Sequence, residues 1–290
     1  MAKFVAEVSS NHHGDLARCK AFIDVSARIG CDAVKFQLFK TEELFAPAVL
    51  AVSEKHRERK AWELPLAFLP ELAAHCQLRG IAFGCTPFYL DAVDELRPYV
   101  DFYKIASYEL LWSELLVACA KTAKPVMIST GMAELSEVRA AVETLEQAGC
   151  VDLTVLHCVS GYPSPAAHCN LAAIDTLRTQ CAYPVGWSDH SVDPAVVNRA
   201  VLRWGAEVVE FHLDLDTQGE EYGGGHCWLP DEIGAVIASL KAGALADGDG
   251  VKKPTAVEIN DRPWRADPHD GLRPMRSIRD QWVAEKMKSQ

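Results

Sequence analysis

The hydrophobic pattern of the chain alternates, eight times over, between a short β-branched run and a longer stretch of helical period. The runs are "FVAEVS" near 4–9, "AVKFQLF" near 33–39, "IAFGCTPF" near 81–88 and "FYKIAS" near 102–107, then "PVMIST" near 125–130, "DLTVLHCV" near 152–159, "YPVGWS" near 183–188 and "EVVEFHL" near 207–213. Between them lie amphipathic segments such as "ELSEVRAAVETLEQAG", apolar at Val138, Ala141, Val142 and Leu145 and closed by Gly149. Strands alternating with helices predict a parallel sheet, and eight such units predict an α/β fold closed as a (β/α)8 TIM barrel. A doubly wound open sheet is the alternative. It usually carries a glycine-rich turn after its first strand, and here that turn reads "SSNHHGD".

The pattern places the barrel in residues 1–245 and leaves 246–290 as a polar, Pro- and Arg-containing tail. That tail reads as an extended segment wrapping the barrel rather than a second domain with its own core. Residues 40–68 are too long for a simple turn and are expected to form an excursion over one end of the barrel.

Charge limits the partners. With 29 basic and 40 acidic residues the net charge is −11, so neither nucleic acid nor an anionic membrane is held by bulk electrostatics. An anionic ligand needs a local cluster of lysines and amides. No apolar stretch reaches the length of a membrane span, and "MAKFVAEVSS" reads directly as a strand without a signal segment, which sets the expected location as cytoplasmic. The ten cysteines are scattered without a C-x-x-C pair and are expected to be reduced, mostly buried thiols.

A barrel gathers its chemistry at the carboxyl ends of its strands. Those positions carry Glu7, Lys35, Gln37, Lys104, Ser107, Glu109, Ser129, His157, Tyr162, Ser188, Asp189, His190, Glu210 and His212. Lys35 and Lys104 sit inside apolar runs, where an unpaired ammonium is expensive. Each either pairs with a buried carboxylate such as Glu7 or Glu210, or converges with Ser107, Ser129 and Ser188 on an anion, for which phosphate is well suited. A Schiff-base lysine is the competing use. His190 and His212 end adjacent strands and suit a divalent metal, against the alternative that each is a hydrogen-bonded core histidine. His157 is the weaker candidate, and His226 and Cys227 of "GGGHCWLP" fit a shaped loop better than extra ligands. Asp189 reads either as an orienter of a neighbouring ligand or as the cap of the next helix.

In order, "AEVSSNHHGD", "AVKFQ", "TPF", "YKIAS", "ISTGM", "HCVSGYPSP…NL", "VGWSDHS" and "GDGVKKP…E" resemble the sialic acid (N-acetylneuraminate) synthase family from about residue 4 to 258. The resemblance implies a metal-dependent transferase that condenses phosphoenolpyruvate with an N-acetylmannosamine-type aldose, releasing phosphate and giving a 2-keto-3-deoxy sugar acid. It places the phosphoenolpyruvate site on Lys35, Lys104, Ser107, Ser129 and Ser188, sugar contacts on Gln37 and Tyr162, catalytic carboxylates on Glu7 and Glu109, and metal ligands on His190 and His212. It implies a divalent cofactor, with Mn2+ or Mg2+ expected, and a homodimer as the candidate assembly. In its chemistry the metal polarises the sugar aldehyde, carbon 3 of phosphoenolpyruvate attacks, water captures carbon 2, and phosphate leaves by C–O cleavage.

Three departures mark this chain. Phe211 stands where the family has a basic residue before the metal histidine, and "QGEEYGGGHCWLP" replaces the usual G-P-D loop, with Glu221 nearest to its sugar-binding aspartate. Residues 246–290 are not expected to form the family's C-terminal antifreeze-like domain, leaving Arg262, Arg265 and Arg273 as candidates for the arginine which that domain supplies. A Schiff-base aldolase or lyase, or a non-catalytic barrel binding a sugar acid or phosphate, are the competing functions.

Overall fold

A computed structural model describes residues 1–288 of the chain. Eight parallel strands follow one another in sequence order: β1 (Lys3–Glu7), β2 (Ala33–Leu38), β3 (Ala82–Pro87), β4 (Phe102–Ile105), β5 (Val126–Ser129), β6 (Leu153–Cys158), β7 (Val185–Asp189) and β8 (Val208–Leu213). β8 pairs back onto β1, with Val5 opposite Glu210 and Glu7 opposite His212, which closes the barrel. All eight sequence-derived strands are present. Strand β7 starts two residues later than its apolar run and continues through Asp189. A ninth strand, β9 (Cys227–Trp228), pairs parallel with β8 inside the "GGGHCWLP" loop. Two residues are too few to show alternation, so no periodic signal marks it.

The helices between strands form for local reasons. The helix Leu16–Ile29 opens at Asp15, whose carboxylate accepts the N–H groups of Ala17 and Arg18, and closes at Gly30 with φ 90°, where a side chain would be strained. It buries Cys19, Phe22 and Ile23, each large apolar side chain contributing ~1.5–3 kcal/mol of burial. The helix Leu135–Gln147 buries Val138, Ala141, Val142 and Leu145, the stripe visible in its sequence. Residues 40–68 fold into short helices at Thr41–Leu44, Pro47–Val52 and Glu54–Glu58, followed by 3-10 turns at Arg59–Trp62 and Leu66–Phe68.

Inside the barrel, the period-two alternation of strands stacks the side chains in layers. Val5, Ala33, Phe102, Leu156 and Val208 form an apolar floor with Met127 and Ala82 packed against it. The floor is tight: a Cβ on Gly84 would lie 2.1 Å from the Phe102 ring. Two residues further along the same strands come Glu7, Lys35, Lys104, Ser129, Cys158 and Glu210. The sequence thus switches from hydrocarbon to charge within one layer of the interior.

The chain divides into two compact units, Met1–Ala244 and Leu245–Gln290. In the second, where the sequence suggests an extended segment, there is a helix Arg276–Lys288. Trp264 and Trp282 meet edge to face at 5.2 Å, and Arg279 binds Asp270 at 2.7 Å, contacts that fold this unit on itself. Arg262, Arg265 and Arg273 all lie in it. All ten cysteines are free and buried. Among the described residues no helix is long and apolar enough to cross a membrane.

Candidate active site

The charged layer is a chain of ion pairs. Lys35 Nζ contacts Glu7 Oε2, donates to Thr86 Oγ1 at 3.1 Å and lies 3.9 Å from Glu210 Oε2. Lys104 Nζ lies 3.2 Å from Glu210 Oε1, which also accepts from Ser188 Oγ at 2.9 Å. Both lysines therefore pair with buried carboxylates, the first of the two arrangements their sequence positions allow. The reason is desolvation: at 3% exposure an ammonium without a counter-charge costs several kcal/mol. Burial works against the charge on Lys35, but Glu7 and Glu210 outweigh it and hold the ammonium above its ordinary range. Two ammonium groups and two carboxylates sum to zero, so an incoming anion meets a neutral, strongly polarised layer rather than a positive one.

A second group of donors lies at the ends of β4 to β6. Ser107 Oγ accepts the Gly131 N–H at 3.0 Å, while Ser129 Oγ and Ser160 Oγ are buried without a hydrogen-bond partner. Buried hydroxyls are rarely left so, and both can donate to a ligand or to water. A Cβ at Gly131 would fall 2.2 Å from Ser160 Oγ and 2.9 Å from Ser107 Oγ, so only glycine lets these groups converge. A cavity of about 400 Å³ lined by Cys158, Ser160, Gly161 and Ser164 lies beside them.

Glu109 follows β4 in the 3-10 turn Ser107–Glu109. Burial raises its carboxyl to about 7, against the pull of the Lys104 ammonium, and its Oε2 is buried without a hydrogen-bond partner. Glu7 differs. One of its oxygens takes Lys35 and the other accepts from Gln37 Nε2 at 2.7 Å.

The histidines meet at the barrel mouth. The rings of His190 and His212 are 5.3 Å apart, and Tyr162 lies 4.2 Å from His190 and 5.1 Å from His226. His190 Nδ1 is 2.8 Å from Val159 O, which fixes its ring. His212 is also joined by residues of the following loop: its Nδ1 lies 3.1 Å from Glu221 Oε2, with His226 Nε2 and Cys227 Sγ each 3.7 Å from the same oxygen. Ligand atoms of His212, Glu221, His226 and Cys227 lie within 4.8 Å of one another. Burial works against the charge on Glu221, but His212, His226 and Ser9 outweigh it and hold its carboxyl well below the usual range. Its oxygens, expected to face a sugar, are taken up by these imidazoles and by Ser9 and Ser10. Two imidazoles, a carboxylate and a thiol, with His226 Nδ1 buried and unpartnered, fit a divalent cation.

Two strand-end residues are structural. Asp189 accepts both indole N–H groups of Trp187 and Trp228 at 2.9 Å and also the Ser191 hydroxyl, so it clamps the turn that presents His190. The cap of the next helix is Asp193, which accepts from the Ala195 N–H at 2.8 Å. His157 Nε2 meets Cys169 O at 2.9 Å, and burial lowers its pKa, keeping it a neutral packing residue.

The model of the NeuB family matches residues 22–252. An uncharacterized protein of Methanocaldococcus jannaschii is 37% identical over 259 residues, covering 88% of this chain and 74% of its own. The N,N'-diacetyllegionaminic acid synthase of Campylobacter jejuni is 33% identical over 267 residues, covering 88% and 80%. Among solved structures, the N-acetylneuraminic acid (sialic acid) synthetase of Leptospira borgpetersenii, in complex with citrate, superposes with a TM-score of 0.78 at 31% identity over 90% of each chain.

Proposed function

The chain belongs to the NeuB family, and on that premise we propose that it condenses phosphoenolpyruvate with an open-chain aldose of the N-acetylmannosamine type. The products are a nonulosonic-type 2-keto-3-deoxy acid and inorganic phosphate. The observation that carries this reading is the buried layer of Glu7, Lys35, Lys104 and Glu210 beside the unpartnered hydroxyls of Ser129 and Ser160. An apolar ligand would gain nothing from it. A phosphorylated carboxylate would use the lysines as ion partners and the hydroxyls of Ser129 and Ser160 as hydrogen-bond donors.

The electron pair of the C2=C3 bond of phosphoenolpyruvate forms the new bond to the aldehyde carbon, whose oxygen takes up a proton. Water adds at C2 and loses its proton to a base. The C2–O bond to phosphate then breaks as the C2 hydroxyl becomes the ketone. Glu109 suits the base: a carboxyl held near 7 exchanges a proton at working pH. Glu7, committed to Lys35 and Gln37, instead positions them. Lysines and serines hold the phosphate end still, which contributes mainly through orientation. A divalent cation held at His212 and its neighbours would supply Lewis-acid polarisation of the aldehyde. Gln37 and Tyr162 remain as sugar contacts at the mouth.

A Schiff-base mechanism fits less well, because both lysines are engaged by buried carboxylates, Lys35 by Glu7 and Lys104 by Glu210. Bridge-labelled phosphoenolpyruvate separates the routes. With 18O between C2 and phosphorus, C–O cleavage delivers the label to phosphate. Label retained in the keto acid contradicts the mechanism, as does borohydride trapping of substrate on either lysine.

A further inference from the structure

The loop after β8 is built around more donors than a two-histidine site needs. His212 and Cys227 are opposite one another in the β8–β9 pairing, so one two-residue strand brings a thiol beside the imidazole. Glu221 reaches the same point from the short helix Glu220–Gly223, held there by the hydroxyls of Ser9 and Ser10. His226 completes the set, its ring 5.0 Å from that of His212, with a buried Nδ1 that has no hydrogen-bond partner. Arg18 fixes the loop's first residues, binding Asp214 at 2.7 Å and Asp216 at 2.9 Å while its Nε donates to Asn11 O. Among the described residues, no lysine or arginine comes within ion-pair distance of Glu221.

We infer that His212, Glu221, His226 and Cys227 form a single metal centre that prefers a borderline, thiophilic divalent ion of the zinc class over Mn2+ or Mg2+. Two imidazoles, one carboxylate and one thiolate are the donors such ions take at four positions, whereas hard cations favour oxygen ligands and water. All four donors lie within 4.8 Å of one another without help from His190. No disulfide claims the thiol, since Cys227 is free and buried, 3.7 Å from Glu221 Oε2 and 3.6 Å from Asn11 Nδ2. The centre belongs to the site proposed above for aldehyde activation and rests on that reading for its catalytic use, in which the aldehyde oxygen would add as a fifth ligand, but its composition can be read without substrate.

The test is optical. Full-length protein stripped with chelator is titrated with Co2+, which reports its ligands by colour. One equivalent is expected to bind with the intense visible bands of a four-coordinate ion and a near-ultraviolet thiolate-to-cobalt charge-transfer band. Cys227→Ser is expected to abolish the charge-transfer band and retain the visible bands. Cys158→Ser, which removes the thiol 3.9 Å from His190 Nδ1, is expected to leave both unchanged. His226→Ala is expected to weaken Zn2+ binding by at least about 10-fold, the lower end of what losing even an outer partner costs. Zn2+ is expected to displace bound Mn2+ at equal concentration. A charge-transfer band absent from the parent protein, or lost in Cys158→Ser instead, overturns the inference; so does Mn2+ binding as tightly as Zn2+. Because no phosphoenolpyruvate is present, a failed synthase assay leaves this result untouched, and a failed spectrum leaves the synthase reading open.

Discussion

Lys104 Nζ and Glu210 Oε1 lie 3.2 Å apart with both side chains almost wholly buried, so each charge inside the barrel exists because the other does. Removing one partner leaves the other uncompensated, which typically costs ~3–5 kcal/mol. Glu210→Ala is therefore expected to lower unfolding free energy by about that much in urea titration. Glu210→Gln is expected to lose less, because the amide keeps the volume and the Ser188 contact. A loss under about 1 kcal/mol for the alanine variant would mean that water reaches the pair.

The same pair sets acid sensitivity. Burial alone would raise the Glu210 carboxyl, but Lys104 and Lys35 hold it at about 2, below its ordinary 4.5. A depressed carboxylate stabilises fully above its unfolded value, and that stability is lost as pH falls through the folded one. Stability is thus expected to decline between about 4.5 and 2, with a shallower decline in Glu210→Gln. Parallel urea curves for the two proteins across that window would contradict it.

Glu109 predicts an acid limb in catalysis too, at higher pH. Its carboxyl, raised to about 7 by burial, must be ionised to take a proton, so kcat is expected to rise with pH through about 7 and level off above it. Glu109→Gln is expected to remove that limb and lower kcat by about 10²–10⁴-fold. A limb that survives the substitution assigns the titration to another group.

Gly131→Ala tests the phosphate end. The added methyl would sit 2.2 Å from Ser160 Oγ, so hydroxyl or backbone must move. Overpacking of this kind costs ~1–3 kcal/mol. The effect is expected mainly as a KM for phosphoenolpyruvate raised about 10-fold, with kcat less changed. A loss confined to kcat would move Gly131 away from substrate binding.

The barrel was legible because its signal is local. Alternation within each strand locates Glu7, Lys35, Lys104, Glu210 and His212 on one inward face without knowledge of any partner. What each inward residue touches was legible only as alternatives, carboxylate pairing with Glu7 or Glu210 among them, since the contacts cross strands. The carboxylate that pairs with Lys104 lies on β8, and the one that pairs with Lys35 lies on β1. Asp189 could be read as a cap or an orienter because its second indole partner, Trp228, is 39 residues away. Strand β9 was missed for want of length, and with it the pairing that sets Cys227 beside His212. The helix Arg276–Lys288 was hidden by its polarity: it buries no residue and so shows no apolar stripe.

Condensation itself is measured most directly by inorganic phosphate released from phosphoenolpyruvate by the metal-loaded protein, with and without a panel of aldoses that includes N-acetylmannosamine and di-acetamido hexoses. Phosphate is expected only when an aldose of this class is present, in one-to-one stoichiometry with a 2-keto-3-deoxy acid, and to be lost on metal removal. Phosphate release independent of every aldose, or tight phosphoenolpyruvate binding with no turnover across the panel, would contradict a condensing enzyme.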